Sequence, residues 1–170
     1  DSEKTIMTAN ALEQKEYQVT SVTSQKRNRN PYAPFTTSTL QQSASSNLKI
    51  SPRDAMSIAQ KLYEAGLITY MRTDGIEMAP EGITSARKQI SDSLGKDFLP
   101  EKTRVFKNKA KNAQEAHECI RPTDFSQTPE KAKNLNKSEL DLYTLIWRRA
   151  LASQSRAAEV LQTTVLISSL

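Results

Sequence analysis

Residues Ser51–Gly75 read SPRDAMSIAQKLYEAGLITYMRTDG, and this stretch decides the fold. Ser51 is a capping residue, Pro52 suits the first helical position, and Asp54 puts a carboxylate in the first turn. Ala55, Ile58, Ala59 and Leu62 fall on one helical stripe. Gly66 stops the helix by entering the left-handed region. Leu67–Tyr70 is too short and too β-branched for another helix and is expected to be a strand. Tyr70 leaves that strand with Arg72 two residues on, on the same face if the extended chain continues.

Working outward, the middle of the chain is helical. Ser38 with Gln41 three residues later reads as a capping box, with Leu40, Ala44 and Leu48 inward. Pro80 opens a further helix with Ile83, Ala86, Ile90 and Leu94 inward and Gly95 as its stop. Residues 96–126 show no clear period. Asn136 and Glu139 cap a last helix carrying Leu140, Tyr143, Trp147, Ala150 and Leu151 inward. Residues 3–14 allow a short helix with Ile6, Ala9 and Leu12. EYQVTSVTSQ (16–25) and EVLQTTVLISSL (159–170) read as strands. KRNRNPYAP (26–34) reads as a basic, extended hinge, because each proline disfavours helix in its predecessor. The expected class is mainly α with short strands, a helical unit inserted between two β elements.

Composition narrows function modestly. Lys and Arg number 24 against 19 Asp and Glu, a formal charge of +5, compatible with a polyanion but not diagnostic of one. One cysteine, Cys119, and one histidine, His117, exclude an internal disulfide and a Cys-based zinc site and fit a reducing compartment. No apolar run approaches the roughly 20 residues that span a bilayer. The chain opens on Asp1 and ends in the apolar TTVLISSL, so a longer parent protein is expected.

Three stretches could carry chemistry. Tyr70 is either a core tyrosine or a nucleophile. A phenol with a pKa of about 10 attacks poorly until its phenolate is stabilised. A guanidinium at Arg72 could do that while holding a phosphate by two hydrogen bonds. In QEAHECIRPTD (114–124), His117 and Arg121 could contact phosphate, or His117 could move a proton; a solvated polar turn explains the same residues. In PFTTSTLQQSAS (34–45), Thr36 to Thr39 precede a helix, where hydroxyls and N–H groups either cap it or face phosphates. The two helices around Asn47–Ser51 have helix-turn-helix spacing. Cys119 reads as a small buried hydrophobe and Trp147 as core.

PFTTSTLQQSAS, AQKLYEAGLITYMRTDG and AHECIRPTD, in that order, resemble the active-site domain of bacterial type IA DNA topoisomerases. The resemblance is strong from about Pro31 to Gln154. It implies a winged-helix-like active-site domain over 31–154, set between segments of a β-rich arch domain at 1–30 and 155–170. It implies that Tyr70 attacks single-stranded DNA to form a 5′-phosphotyrosine without ATP, and that Arg72 holds the scissile phosphate. His117 and Arg121 would contact DNA, with Thr69, Thr37 and Ser38 nearby; Asp74 and Glu118 match positions near the site. Gly75 and Cys119 stand where Ser and Ala are common. The family's Toprim domain, whose glutamate and D-x-D cluster bind Mg²⁺, has no counterpart here. The resemblance therefore implies half an active site, no metal held by this chain, and inactivity of the chain alone. It also implies a bacterial cytoplasmic setting and relaxation of negatively supercoiled DNA. A DNA-binding helix-turn-helix module without catalysis, or a scaffold, remain the alternatives.

Overall fold

The computed structural model describes residues 2–13, 15–107 and 118–169. In chain order its elements are α1 (Ser2–Glu13), β1 (Tyr17–Arg29), α2 (Thr37–Leu48), α3 (Pro52–Glu64), α4 (Pro80–Ser93), a 3₁₀ turn (Lys96–Phe98), α5 (Lys137–Ser153) and β2 (Ala158–Ser169). The chain divides into two compact units, residues 30–157 and the two flanking segments together. The sequence boundaries at 31 and 154 fall within the first of these.

The flanking unit is an antiparallel ribbon. β1 pairs with β2 from Tyr17↔Ser169 to Arg29↔Ala158, with a bulge between Val19 and Ser21. Thr20, in the bulge, donates its hydroxyl to the Leu166 carbonyl at 3.1 Å. All of the ribbon is exposed apart from the half-buried Ser21, and α1 buries nothing. The expected hinge over 26–34 is shorter than its composition suggests. Lys26–Arg29 belong to β1 and pair with Ala158–Leu161, because long basic side chains sit comfortably on an exposed ribbon.

The helical unit holds the core. Leu40 and Ala44 of α2 meet Ala55, Ala59 and Leu62 of α3 and Leu142, Tyr143 and Ile146 of α5, with Phe35, Ile68, Met71 and Ile120 filling between them. A second cluster sets Ala86 and Ile90 of α4 against Met78, Cys119, Phe125, Ala150 and Leu151. Trp147 packs on both clusters and donates its indole N–H to the Phe125 carbonyl at 3.2 Å. Cys119 and Ile120 face different clusters, as neighbours in an extended chain must. Their segment makes single bridges to Phe35, Ile68 and Glu77. Arg149 of α5 lies 4.7 Å from the ring centroids of both Tyr32 and Phe35. Its Nε donates to the Ala33 carbonyl at 2.6 Å, fixing the entry to α2.

Local signals match or depart for identifiable reasons. Ser51 caps α3, accepting from the Asp54 N–H at 3.1 Å, and Asn136 and Glu139 form a reciprocal box on α5. The α2 cap is Thr36, not Ser38: Thr36 and Thr39 form the box, and Ser38 is exposed within the first turn. Two hydroxyl residues two positions apart offer the same signal, and the backbone geometry at Thr36 decides between them. The expected strand over Leu67–Tyr70 is a single bridge, Ile68 with Pro122, since proline has no N–H with which to extend a ladder. Leu94, expected inward, is 50% exposed past the end of α4.

Candidate active site

Tyr70 is delivered by two local devices, one before it and one after. Upstream, α3 ends in a Schellman motif. Gly66 N–H reaches the Tyr63 carbonyl at 2.8 Å and Leu67 N–H reaches the Leu62 carbonyl at 2.9 Å. Gly66 takes φ 72°, a value glycine tolerates without strain. Thr69 then locks to the 119–121 segment. Its N–H donates to the Arg121 carbonyl at 2.9 Å. Its hydroxyl donates to the Cys119 carbonyl at 2.8 Å and accepts from the Arg121 N–H at 3.0 Å.

Downstream, Thr37 does the corresponding work from α2. Its hydroxyl donates to the Met71 carbonyl at 2.7 Å and accepts from the Thr73 N–H at 2.9 Å. The Thr37 N–H also donates to the Thr73 carbonyl at 2.9 Å. Each such bond contributes about 1 kcal/mol net. Met71, Thr73 and Gly75 are buried while Tyr70, Arg72 and Asp74 are exposed, so the three polar residues share one outward face. Tyr70 is 49% exposed although its neighbour Met71 is 1% exposed.

Tyr70 also has an aromatic support. The Tyr63 ring meets it edge to face, centroids 5.2 Å apart and planes at 66°, an arrangement worth about 0.5–1.5 kcal/mol. Tyr63, Thr69, Tyr70, Arg72, Thr73 and Glu118 line one cleft of about 480 Å³. Tyr63 and Thr73 were not singled out in the sequence. The available signal for Tyr63 was its place in the last turn of α3, off the Ala55–Ala59–Leu62 stripe and seven residues before Tyr70.

Glu118 lines the cleft, and Arg121 lies behind it. Glu118 Oε1 accepts from the Ala79 N–H at 3.0 Å, at the start of α4, where the helix dipole favours a carboxylate. The same oxygen accepts from Arg121 Nε at 2.5 Å. Arg121 is 5% exposed. It further donates to the Pro122 carbonyl at 2.9 Å and lies 3.7 Å from Glu81. Gly82 makes room for it: a Cβ there would fall 2.6 Å from Arg121 Nε. The guanidinium expected to contact DNA is thus buried and holds Glu118 in place. His117 lies outside the described residues. Ser38 does not line the cleft, and Thr37 acts beneath it through the Met71–Thr73 backbone.

Two buried acids contrast with the exposed Tyr70. Burial pushes the Cys119 thiol up to about 12, so it stays protonated and unreactive. Burial likewise raises Tyr143 to about 12, and its hydroxyl donates to the Gln127 carbonyl at 2.6 Å. Among the described residues no three His, Cys, Asp or Glu side chains come together as a metal site. Among the described residues Glu118 is the cleft's one carboxylate, and it sits against a guanidinium. That donor set does not fit Mg²⁺, which takes near-octahedral oxygen ligands. No helix of the described residues is long and apolar enough to cross a membrane.

Comparison with known proteins places the chain in a family. The family described as DNA topoisomerase matches residues 1–169. DNA topoisomerase 1 of Campylobacter jejuni is 52% identical over 151 residues, covering 84% of this chain and 22% of that protein. DNA topoisomerase 1 of Helicobacter pylori is 48% identical over 167 residues, covering 93% and 23%. Full-length topoisomerase I from Thermotoga maritima superposes with a TM-score of 0.77 at 34% identity, over 95% of this chain and 27% of that one. This chain therefore spans about a quarter of the length of these relatives. It belongs to the bacterial DNA topoisomerase family.

Proposed function

We propose that Tyr70 is the nucleophile of a reaction that opens and reseals one DNA strand, performed by the longer protein of which this chain forms the active-site part. The observation that carries the reading is the half-exposed Tyr70, fixed on both sides by threonine hydroxyls, with Arg72 on the same face of one cleft. The phenol oxygen bonds to phosphorus, and the bond from phosphorus to the 3′ oxygen breaks. The phenol proton ends on the leaving 3′-hydroxyl. The product is a 5′-phosphotyrosine beside a free 3′ end. One phosphodiester replaces another, so the reverse attack reseals the strand without ATP. Passage of a strand through the gap relaxes negative supercoils. Arg72 pairs with the phosphate oxygens as charge builds on phosphorus.

The remaining assignments belong to the same reading. His117 contacts DNA. Mg²⁺ is held by carboxylates of a Toprim domain elsewhere in the protein. The helical unit is the winged-helix-like active-site domain, the ribbon is part of the arch, and the setting is the bacterial cytoplasm. A second reading rests on α2 and α3, joined through the left-handed Lys49 at φ 60°: a helix-turn-helix that binds DNA without cleaving it.

One experiment separates the two. The chain is mixed with a single-stranded oligonucleotide, Mg²⁺ and a separately prepared Toprim domain, and then denatured. The nucleophile reading expects a protein–DNA adduct with the wild type and none with Tyr70→Phe. No adduct with the wild type, or an undiminished one with Tyr70→Phe, overturns it.

A further inference from the structure

Arg72 lines two clefts, the one containing Tyr70 and a second of about 470 Å³ that it shares with Arg53, Met56, Ser57, Gln60 and Lys61. All five partners belong to α3. Arg53, Ser57, Gln60 and Lys61 follow at spacings of four, three and one, which places them on one face of the helix, away from the buried Ala55, Ala59 and Leu62. Arg53, Ser57 and Lys61 are exposed.

Three cations, Arg53, Lys61 and Arg72, border the second cleft, while Glu64 falls on the same helical stripe as Arg53, Ser57 and Gln60. Among the described residues, no carboxylate lines the second cleft. Asp54 accepts the Ser51 hydroxyl at 2.7 Å and lines a different cleft, with Ser57, Lys61 and residues 136–139. Glu64 accepts from the Gln60 amide at 2.6 Å, which orients that side chain. Lys61 stands 3.7 Å from Glu139, with side chains 63% and 15% exposed, a long contact whose lysine end is free to turn to a phosphate. Among the described residues, no hydrogen bond or ion pair holds the Arg53 or Arg72 guanidinium.

We infer that the outward face of α3, from Arg53 to Lys61, is a track for the sugar–phosphate backbone of the DNA strand beside the scissile phosphate, with Arg72 as the contact shared by track and reaction site. This inference rests on the proposed function for its direction. Eight helical steps of 1.5 Å give the track a length of about 12 Å, enough for about two neighbouring phosphates of one strand, one for each of Arg53 and Lys61. Contacts of this kind position a strand without reading its bases. The track should therefore favour no sequence.

The test is binding of the 170-residue chain, in a Tyr70→Phe background without Mg²⁺, to a labelled oligothymidylate over a range of salt. Each phosphate neutralised on a single strand contributes about 0.7 to the slope of log K against log salt. Arg53→Gln with Lys61→Gln should reduce that slope by about 1.4 and weaken binding about 25-fold at 0.1 M salt, the lines meeting near 1 M. Lys88→Gln with Lys96→Gln, which removes the same charge from α4 and the 3₁₀ turn, should leave the slope intact. Arg53→Lys with Lys61→Arg should retain it too. An unchanged slope in the first pair, or an equal loss in the second, overturns the track. Because no adduct can form in this background, the result is independent of whether Tyr70 cleaves DNA.

Discussion

The ribbon and the helical unit are built on opposite terms. β1 and β2 make a ladder from Tyr17↔Ser169 to Arg29↔Ala158, yet their apolar side chains are exposed, Leu161 at 67% and Ile167 at 61%. Their order comes from backbone pairing, and a lone two-stranded ribbon is marginal in water. The helical unit is ordered by burial, with Phe35, Ile146 and Phe125 at 1% exposure or less. The difference teaches where an exposed side chain can be held in one position. Tyr70 is on the unit that has a core, one residue from the buried Met71.

The strongest challenge to this contrast is a pair of truncations. Phe35→Ala should cost about 3–5 kcal/mol, read by the fluorescence of Trp147, the chain's only tryptophan, during denaturant unfolding. Val165→Ala, at a 47% exposed ribbon position, should stay within about 0.5 kcal/mol. Equal costs would show that the ribbon is no less packed than the core.

A smaller effect sharpens the comparison within the helical unit. Gly82→Ala should destabilise by about 1–3 kcal/mol, as overpacking does, because its methyl group meets the Arg121 guanidinium. It should also lower adduct yield, since Glu118 depends on Arg121. A stable Gly82→Ala protein with full adduct yield would separate Glu118 from the reaction.

The smallest effect is a pH dependence. Cys119 ionises at an ordinary 9.0 when unfolded but near 12 when folded. Its contribution is fully present below pH 9 and is lost as pH rises towards 12. By pH 10 the unfolded state gains about 1.4 kcal/mol from this thiol alone. Cys119→Ala should flatten the first part of that decline in the Trp147 signal. An identical decline in the variant would move the cause to Tyr143, which is also raised to about 12.

Helices with paired signals at their ends were legible in the sequence. Ser51, Pro52 and Asp54 open α3 and Gly66 closes it; Asn136 and Glu139 open α5. These signals are local, and the structure uses them locally. What the sequence concealed depends on distant partners. Leu67–Tyr70 looked like a strand because its β-branched residues suit one, but its partner is a segment some fifty residues away that ends in Pro122. Thr36 and Ser38 are equivalent as caps until the backbone turns. Arg121 read as a phosphate contact or part of a solvated polar turn, and only the gap at Gly82 and the bond to Glu118 show it buried. Tyr70 and Arg72 on one face could be read from their spacing; the Tyr63 ring against Tyr70 could not, because the turn at Gly66 brings them together.

The hydroxyls of Thr69 and Thr37 have a mechanical consequence. If Tyr70 becomes the attachment point of a severed strand, the torsion stored in that DNA pulls on the main chain at this residue. The two threonines tie the chain to separate anchorages, Thr69 to the Cys119–Arg121 segment and Thr37 to the first turn of α2. Load entering at the tyrosine would be shared between these moorings and the buried Met71 beside it, and the residue would behave as a cleat.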